Sequence, residues 1–139
     1  MVTVVLHSVI HRLSTHATAL PGMRSAPATP PDSINFYPFG VIYFMRGRWF
    51  GNDATWKTSD NTFAIDIHLA RLPDIGRVLE TYAEYPETLA QAIVSDETLN
   101  DTVTHVNDVR GALQRLNYAG IDTIGYRMEI DCTMKSSKS

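Results

Sequence analysis

Apolar residues at Val2, Val5, Val9, Leu13, Ala17 and Leu20 recur every three or four positions, so residues 2–20 are expected to form an amphipathic helix that Pro21-Gly22 stops. Five prolines follow within 18 residues (Pro21, Pro27, Pro30, Pro31, Pro38), a density that excludes a central strand and predicts a stiff, extended connection. The run GVIYFM from Gly40 is continuous, β-branched and aromatic, which reads as a buried strand. FAIDIHLA, residues 63–70, shows strict period two, with Phe63, Ile65, Ile67 and Leu69 on one side and Ala64, Asp66, His68 and Ala70 on the other. The turn formers between these two strands, Gly47, Gly51, Asn52-Asp53 and Ser59-Asp60-Asn61, predict an antiparallel hairpin with residues 46–61 as a mobile tip.

Helical period returns after Pro73-Asp74, where Asp74 suits an N-cap. Ile75, Val78, Leu79, Tyr82, Leu89, Ala92 and Ile93 hold one stripe, and Pro86 predicts a kink or restart near Tyr85. The stretch SDETLNDTVTHVNDV, residues 95–109, reads as a turn over Ser95–Asp101 followed by a strand or extended piece through Val103, His105 or Val106, and Val109. GALQRLNYAG, residues 111–120, fits no single period. IDTIGYRMEIDCTM, residues 121–134, alternates Ile124, Tyr126, Met128, Ile130 and Cys132 against Gly125, Arg127, Glu129 and Asp131, as a closing strand would. The expected fold is therefore α+β: one domain over residues 1–134, a mixed or antiparallel sheet carrying the N-terminal helix and a long central helix, with a long hairpin projecting from it. Residues 135–139, KSSKS, are expected to form a disordered tail.

At 139 residues and 44% hydrophobic content the chain can bury a core unaided. The single cysteine, Cys132, rules out an internal disulfide and a cysteine-based zinc site. No 18-residue apolar stretch suits a membrane span and the N-terminal segment lacks the plan of a signal peptide, so a soluble protein made in the cytoplasm is expected. Net charge is −3, but residues 1–60 hold five basic against three acidic side chains, whereas residues 61–139 hold seven against twelve. An anion-facing surface would thus belong to the first part of the chain.

Three sets of residues could carry chemistry. His7 and His11 have the i, i+4 spacing of two zinc ligands, with His16 nearby, yet no Glu, Asp or Cys accompanies them in the helix, which favours surface histidines. Asp66 and His68 share a strand face that Glu129 and Asp131 could join across a sheet, a cluster suited to acid-base work if a nucleophile and pocket were present, but the sequence offers no nucleophile motif. Arg46, Arg48, Trp49, Phe50, Trp56 and Lys57 mix cations with aromatics on the hairpin, as single-stranded nucleic-acid binders do and as anchors of protein contacts do; net negative charge favours protein contact.

The order of elements, with the words PFGVIYF, FAIDIHLAR, LAQAIVSDETLNDTVTHV and YAGIDTIGYRMEIDC, resembles the tail terminator, or tail-completion, proteins of long-tailed bacteriophages. The resemblance covers most of the chain and is carried best by Asp96, Thr98, Leu99, Val103, Tyr118 and Gly120; Asn100-Asp101 stands where the family commonly places a glycine pair. It implies a structural virion protein without enzymatic activity or cofactor. Such a protein forms a ring, six-membered in this family, that caps the head-proximal end of the tail tube, ends polymerisation and offers the head-joining surface. Its partners would be further copies of itself, the tube protein and a head or neck connector, with no membrane and no specific nucleic acid, DNA only passing through the lumen. Free reach of the 21–38 loop and the 46–61 hairpin towards neighbours is part of the same expectation, as is a place among other neck or connector proteins of the same particles. On this reading Leu99→Asp is expected to be severe and Asp96→Asn mild.

Overall fold

The computed structural model describes residues 5–50, 56–72 and 76–137. Helix α1 spans Val5–Thr18, and four strands follow in the order β1 (Phe39–Phe50), β2 (Trp56–Arg71), β3 (His105–Tyr118) and β4 (Ile121–Ser137). Between β2 and β3 the central helix is bent into α2 (Gly76–Thr81) and α3 (Tyr85–Ser95). Pro86 lies in the first turn of α3, where its missing N–H costs nothing, so the restart expected at Tyr85 is found there. Val2, the Asp74 cap with Pro73 and Ile75, the Gly51 and Asn52-Asp53 turn formers and the last two residues lie outside the described residues.

The strands form one sheet in the order β1-β2-β4-β3, antiparallel at every step, so the mixed alternative drops out. The registers set whole rows across the sheet. Phe44, Phe63, Ile130 and Val109 stand level, and in the next row, reached on β1 across a single-residue irregularity at Met45, Arg46, Thr62, Asp131 and Asp108 stand level on the opposite face; a second irregularity, at Asn107, lies just beyond Asp108. The helices cover the first face. There Val9, Leu13 and Ala17 from α1 and Leu89 and Ile93 from α3 meet Ile42, Phe63, Ile65, Ile67, Met128, Ile130 and Cys132, most of them with no exposed surface. Gly40 allows the close approach of the connection after α1, since a Cβ there would stand 2.7 Å from the Ala26 Cβ.

Three expectations change. The segment 46–61 is mostly ladder: Arg46–Phe50 pairs with Thr58–Thr62, and residues 51–55 lie outside the described residues. The tail is not free either, because Lys135, Ser136 and Ser137 pair with Thr58, Lys57 and Trp56. Backbone hydrogen bonds extend a ladder whatever the side chains, so polar residues at the hairpin end join it where a neighbouring strand offers donors and acceptors. The 21–38 connection packs back onto its own sheet: Ile34 is buried with Phe39 and Val41, and the Tyr118 hydroxyl donates to the Pro31 carbonyl.

The ambiguous 111–120 stretch is the end of β3 and its hairpin to β4, turned by Ala119 and Gly120, both at positive φ. The turn after α3 uses Leu99, Asn100 and Asp101 at φ 46, 58 and 66, three consecutive left-handed residues. Asn and Asp tolerate this conformation without glycine; Leu does not, and its cost is borne by complete burial of the side chain. Leu99→Ala keeps the backbone demand but empties that site, so it is expected to lower stability by about 2–4 kcal/mol, measured as a reduced urea midpoint at unchanged m-value.

Candidate functional site

The face away from the helices carries the polar chemistry. At its centre Asp66, 7% exposed on β2, takes both Arg127 donors, Nε at 2.8 Å and Nη2 at 3.0 Å, together with the Tyr43 hydroxyl at 3.1 Å. Burial, and then the neighbouring carboxylate, push the Tyr43 hydroxyl up to about 12. His68, two residues on, is 1% exposed; its Nδ1 lies 2.6 Å from the Thr123 hydroxyl, and the Tyr118 ring meets it edge-on at 5.9 Å. Burial holds the imidazole below its ordinary value, so His68 is neutral in the fold.

Glu129 and Asp131 do share this face, as the alternation predicted, but they face Arg110 from β3 rather than the pair on β2. Arg110 binds Asp131 at 2.5 Å, Asp108 at 2.8 Å and Glu129 at 2.9 Å, and Arg46 reaches Glu129 at 3.2 Å from the other edge. Hydrogen bonding from Arg110 keeps Glu129 and Asp131 below the usual carboxylate range. The cluster imagined for acid-base work is thus divided into two sets of charges, Asp66 paired with Arg127, and Glu129 and Asp131 gathered with Asp108 around Arg110, with Arg46 reaching Glu129.

The hairpin set is divided as well. Trp49, 65% exposed, lies on the helix face, where its ring is 6.3 Å from Phe44, while the Arg48 guanidinium stands 4.7 Å over Phe50. The side chains of Trp56 and Lys57 lie outside the described residues. Among the described side chains the cations and aromatics therefore do not form one continuous stacking platform, because the pleat sends Trp49 and its neighbours Arg48 and Phe50 to opposite faces.

The histidines separate too. His7 and His11 bond to one another at 2.8 Å on the exposed side of α1, and His16 turns to Asp96 at 2.7 Å. Among the described residues no three of His, Cys, Asp or Glu converge as a metal site, and Cys132 is buried, its thiol pushed up to about 12 by desolvation.

Of the six positions that carry the resemblance, Asp96, Thr98, Leu99 and Val103 come together around the end of α3. Asp96 is more than a turn former: Oδ2 accepts from Arg12 Nε at 2.6 Å and meets His16 Nε2 at 2.7 Å, while Oδ1 takes the Asn100 N–H at 3.2 Å. Burial alone would raise this carboxyl, but His16, Arg12 and the Asn100 amide outweigh it and hold it below its ordinary 3.8. The Thr98 hydroxyl takes the Asp101 N–H, and its carbonyl takes those of Thr102 and Val103. Val103, 7% exposed, anchors the chain just before β3 rather than inside it. Tyr118 and Gly120 sit at the opposite end of the sheet, in the hairpin turn.

Two consequences are measurable. Asp96→Asn removes the charge that joins α3 to α1, so instead of being mild it is expected to cost about 1–2 kcal/mol, discounted for the partly exposed Arg12; the Asp96 contribution is present above pH 3.8 and is lost as pH falls through its depressed folded value. His68 acts in a higher window. Its folded pKa lies below 6.5, so the unfolded chain binds a proton first, and stability is expected to decline as pH drops from about 6.5. Urea titrations between pH 5 and 8 should show that slope in the natural chain and lose it in His68→Gln.

No protein-family model matches this sequence, and no curated protein matches it either.

Proposed function

We propose that this chain is a structural ring subunit of the tail-terminator kind, capping a phage tail tube and offering a surface to a head or neck connector. One observation carries the reading beyond sequence resemblance. Large apolar side chains are exposed on five separate parts of the fold: Leu6 on α1, Phe36 in the proline-rich connection, Trp49 on β1, Val94 on α3 and Leu113 on β3, at 37% to 65% exposure. Scattered single apolar residues are ordinary on a surface, but a ring subunit must meet two lateral neighbours, a tube below and a connector above. Exposure spread over several elements suits that need better than one patch would.

The arginine-locked carboxylates support the same reading. Asp66, Glu129 and Asp131 each accept from a guanidinium, and His68 is sealed against Thr123 and Tyr118, so these groups act in holding strands together. Six-fold closure, a virion location at the head-proximal end of the tail, and the identities of tube and connector partners are parts of this proposal taken from the resemblance.

Negative-stain microscopy of the purified chain, alone and mixed with tail tubes of a long-tailed phage, tests it. Rings, or caps at tube ends, are expected; a chain that stays monomeric and leaves tubes undecorated overturns the proposal. Trp49→Ala is expected to change folding stability by less than about 1 kcal/mol while clearly reducing tube-end decoration.

A further inference from the structure

Because the four strands alternate in direction, the two edges of the sheet run oppositely: β1 points with β4, and β3 with β2. Both edges are open. On its outer side β1 meets only the start of the proline-rich connection, through Ser25 at Phe39 and Gly40, and among the described residues 41–50 have no second ladder. On β3 the Val106 N–H is taken by the Glu97 carbonyl, and among the described residues 108–118 pair with β4 alone. Residues 110–113 of β3 are exposed.

Unpaired edges are templates for another strand, and proteins blunt them with prolines, charges or bulges. Neither β1 after Pro38 nor β3 contains a proline. The irregularities at Met45 and Asn107 limit where pairing can run, and the charges differ between the edges in a telling way. β1 carries Arg46 and Arg48 and no acid. β3 itself carries Asp108, Arg110 and Arg115, and at its border with β4 the acids Glu129 and Asp131 stand beside Asp108 and Arg110.

We infer that copies of this chain join edge to edge, β1 of one copy pairing antiparallel with β3 of the next, so that one sheet runs on from subunit to subunit. The inference rests on the ring-subunit reading and names its lateral contact. Set level, the row Arg46, Thr62, Asp131, Asp108 continues from Asp108 into Arg46 of the next copy, and the row Phe44, Phe63, Ile130, Val109 continues from Val109 into the next Phe44. Helix faces then meet helix faces, the small residues Gly111 and Ala112 oppose Ile42 and Val41, and opposite charges stand side by side. A two-fold pairing of β1 with β1 would instead bring Arg46 and Arg48 against their own kind. The contact is heterologous, closing into a ring if the rotation between copies closes.

Amide hydrogen exchange read by mass spectrometry on monomeric and assembled full-length chain tests this. Peptides covering 41–50 and 108–118 should slow by about tenfold or more on assembly. Arg46→Glu and Asp108→Arg, both at exposed positions, should each raise the concentration needed for assembly about tenfold, and the double reversal should restore most of it. Assemblies in which those two segments exchange at the monomer rate overturn the edge pairing and leave the ring-subunit reading standing. A chain that assembles neither alone nor at tube ends overturns both.

Discussion

The fold depends on burying β2 on both of its faces. From Asn61 to Ala70 every residue of this strand is buried, which is unusual for an antiparallel sheet, where one face commonly meets water. On one side the demand is met by α1 and α3, whose apolar stripes close over Phe63, Ile65 and Ile67. On the other side three polar residues are buried and must be matched, the first of them, Thr62, by Asp131. Asp66 is held by Arg127 and Tyr43, and His68 by Thr123, so the strands flanking β2 are chosen as much by these partners as by packing. The proline-rich connection completes the cover by bringing Ile34 and Tyr37 over Phe39 and Val41.

Where burial imposes a period, the sequence is readable. α1, β2 and β4 each have one or two buried faces, and Val9, Leu13, Ala17, Ile65 and Ile130 stand at the positions their spacing demands. The break at Pro86 is a covalent constraint and equally plain. β3 was ambiguous for the opposite reason. An edge strand exposed over most of its length has no core to sort its residues, and Gly111, Ala112 and Leu113 follow no alternation. The hairpin ends misled because a ladder is a backbone structure that tolerates Ser, Lys and Thr.

The site was legible only in its residue types. Asp96 and Leu99 were marked by their turn chemistry, but the partner of Asp96 is Arg12, 84 residues earlier, and no local pattern announces it. Likewise Glu129 and Asp131 were placed on the right face of the right strand, yet their arginines come from β3 and β1, a pairing fixed by sheet order rather than by spacing. The hairpin cations and aromatics looked like one surface in sequence and are divided by the pleat, with Trp49 apart from Arg48 and Phe50.

The sheet order has a further consequence for synthesis. β4 follows every other element in the chain, yet it lies between β2 and β3. While a ribosome is still translating residues 121–137, β3 has no strand to pair with and Asp66 lacks its guanidinium, so the nascent chain holds at most the β1-β2 hairpin and its helices. Docking of β4 is then a single late event that joins distant parts of the sequence at once, and until it happens the edge of β2 that β4 will cover remains available to any chaperone or passing copy.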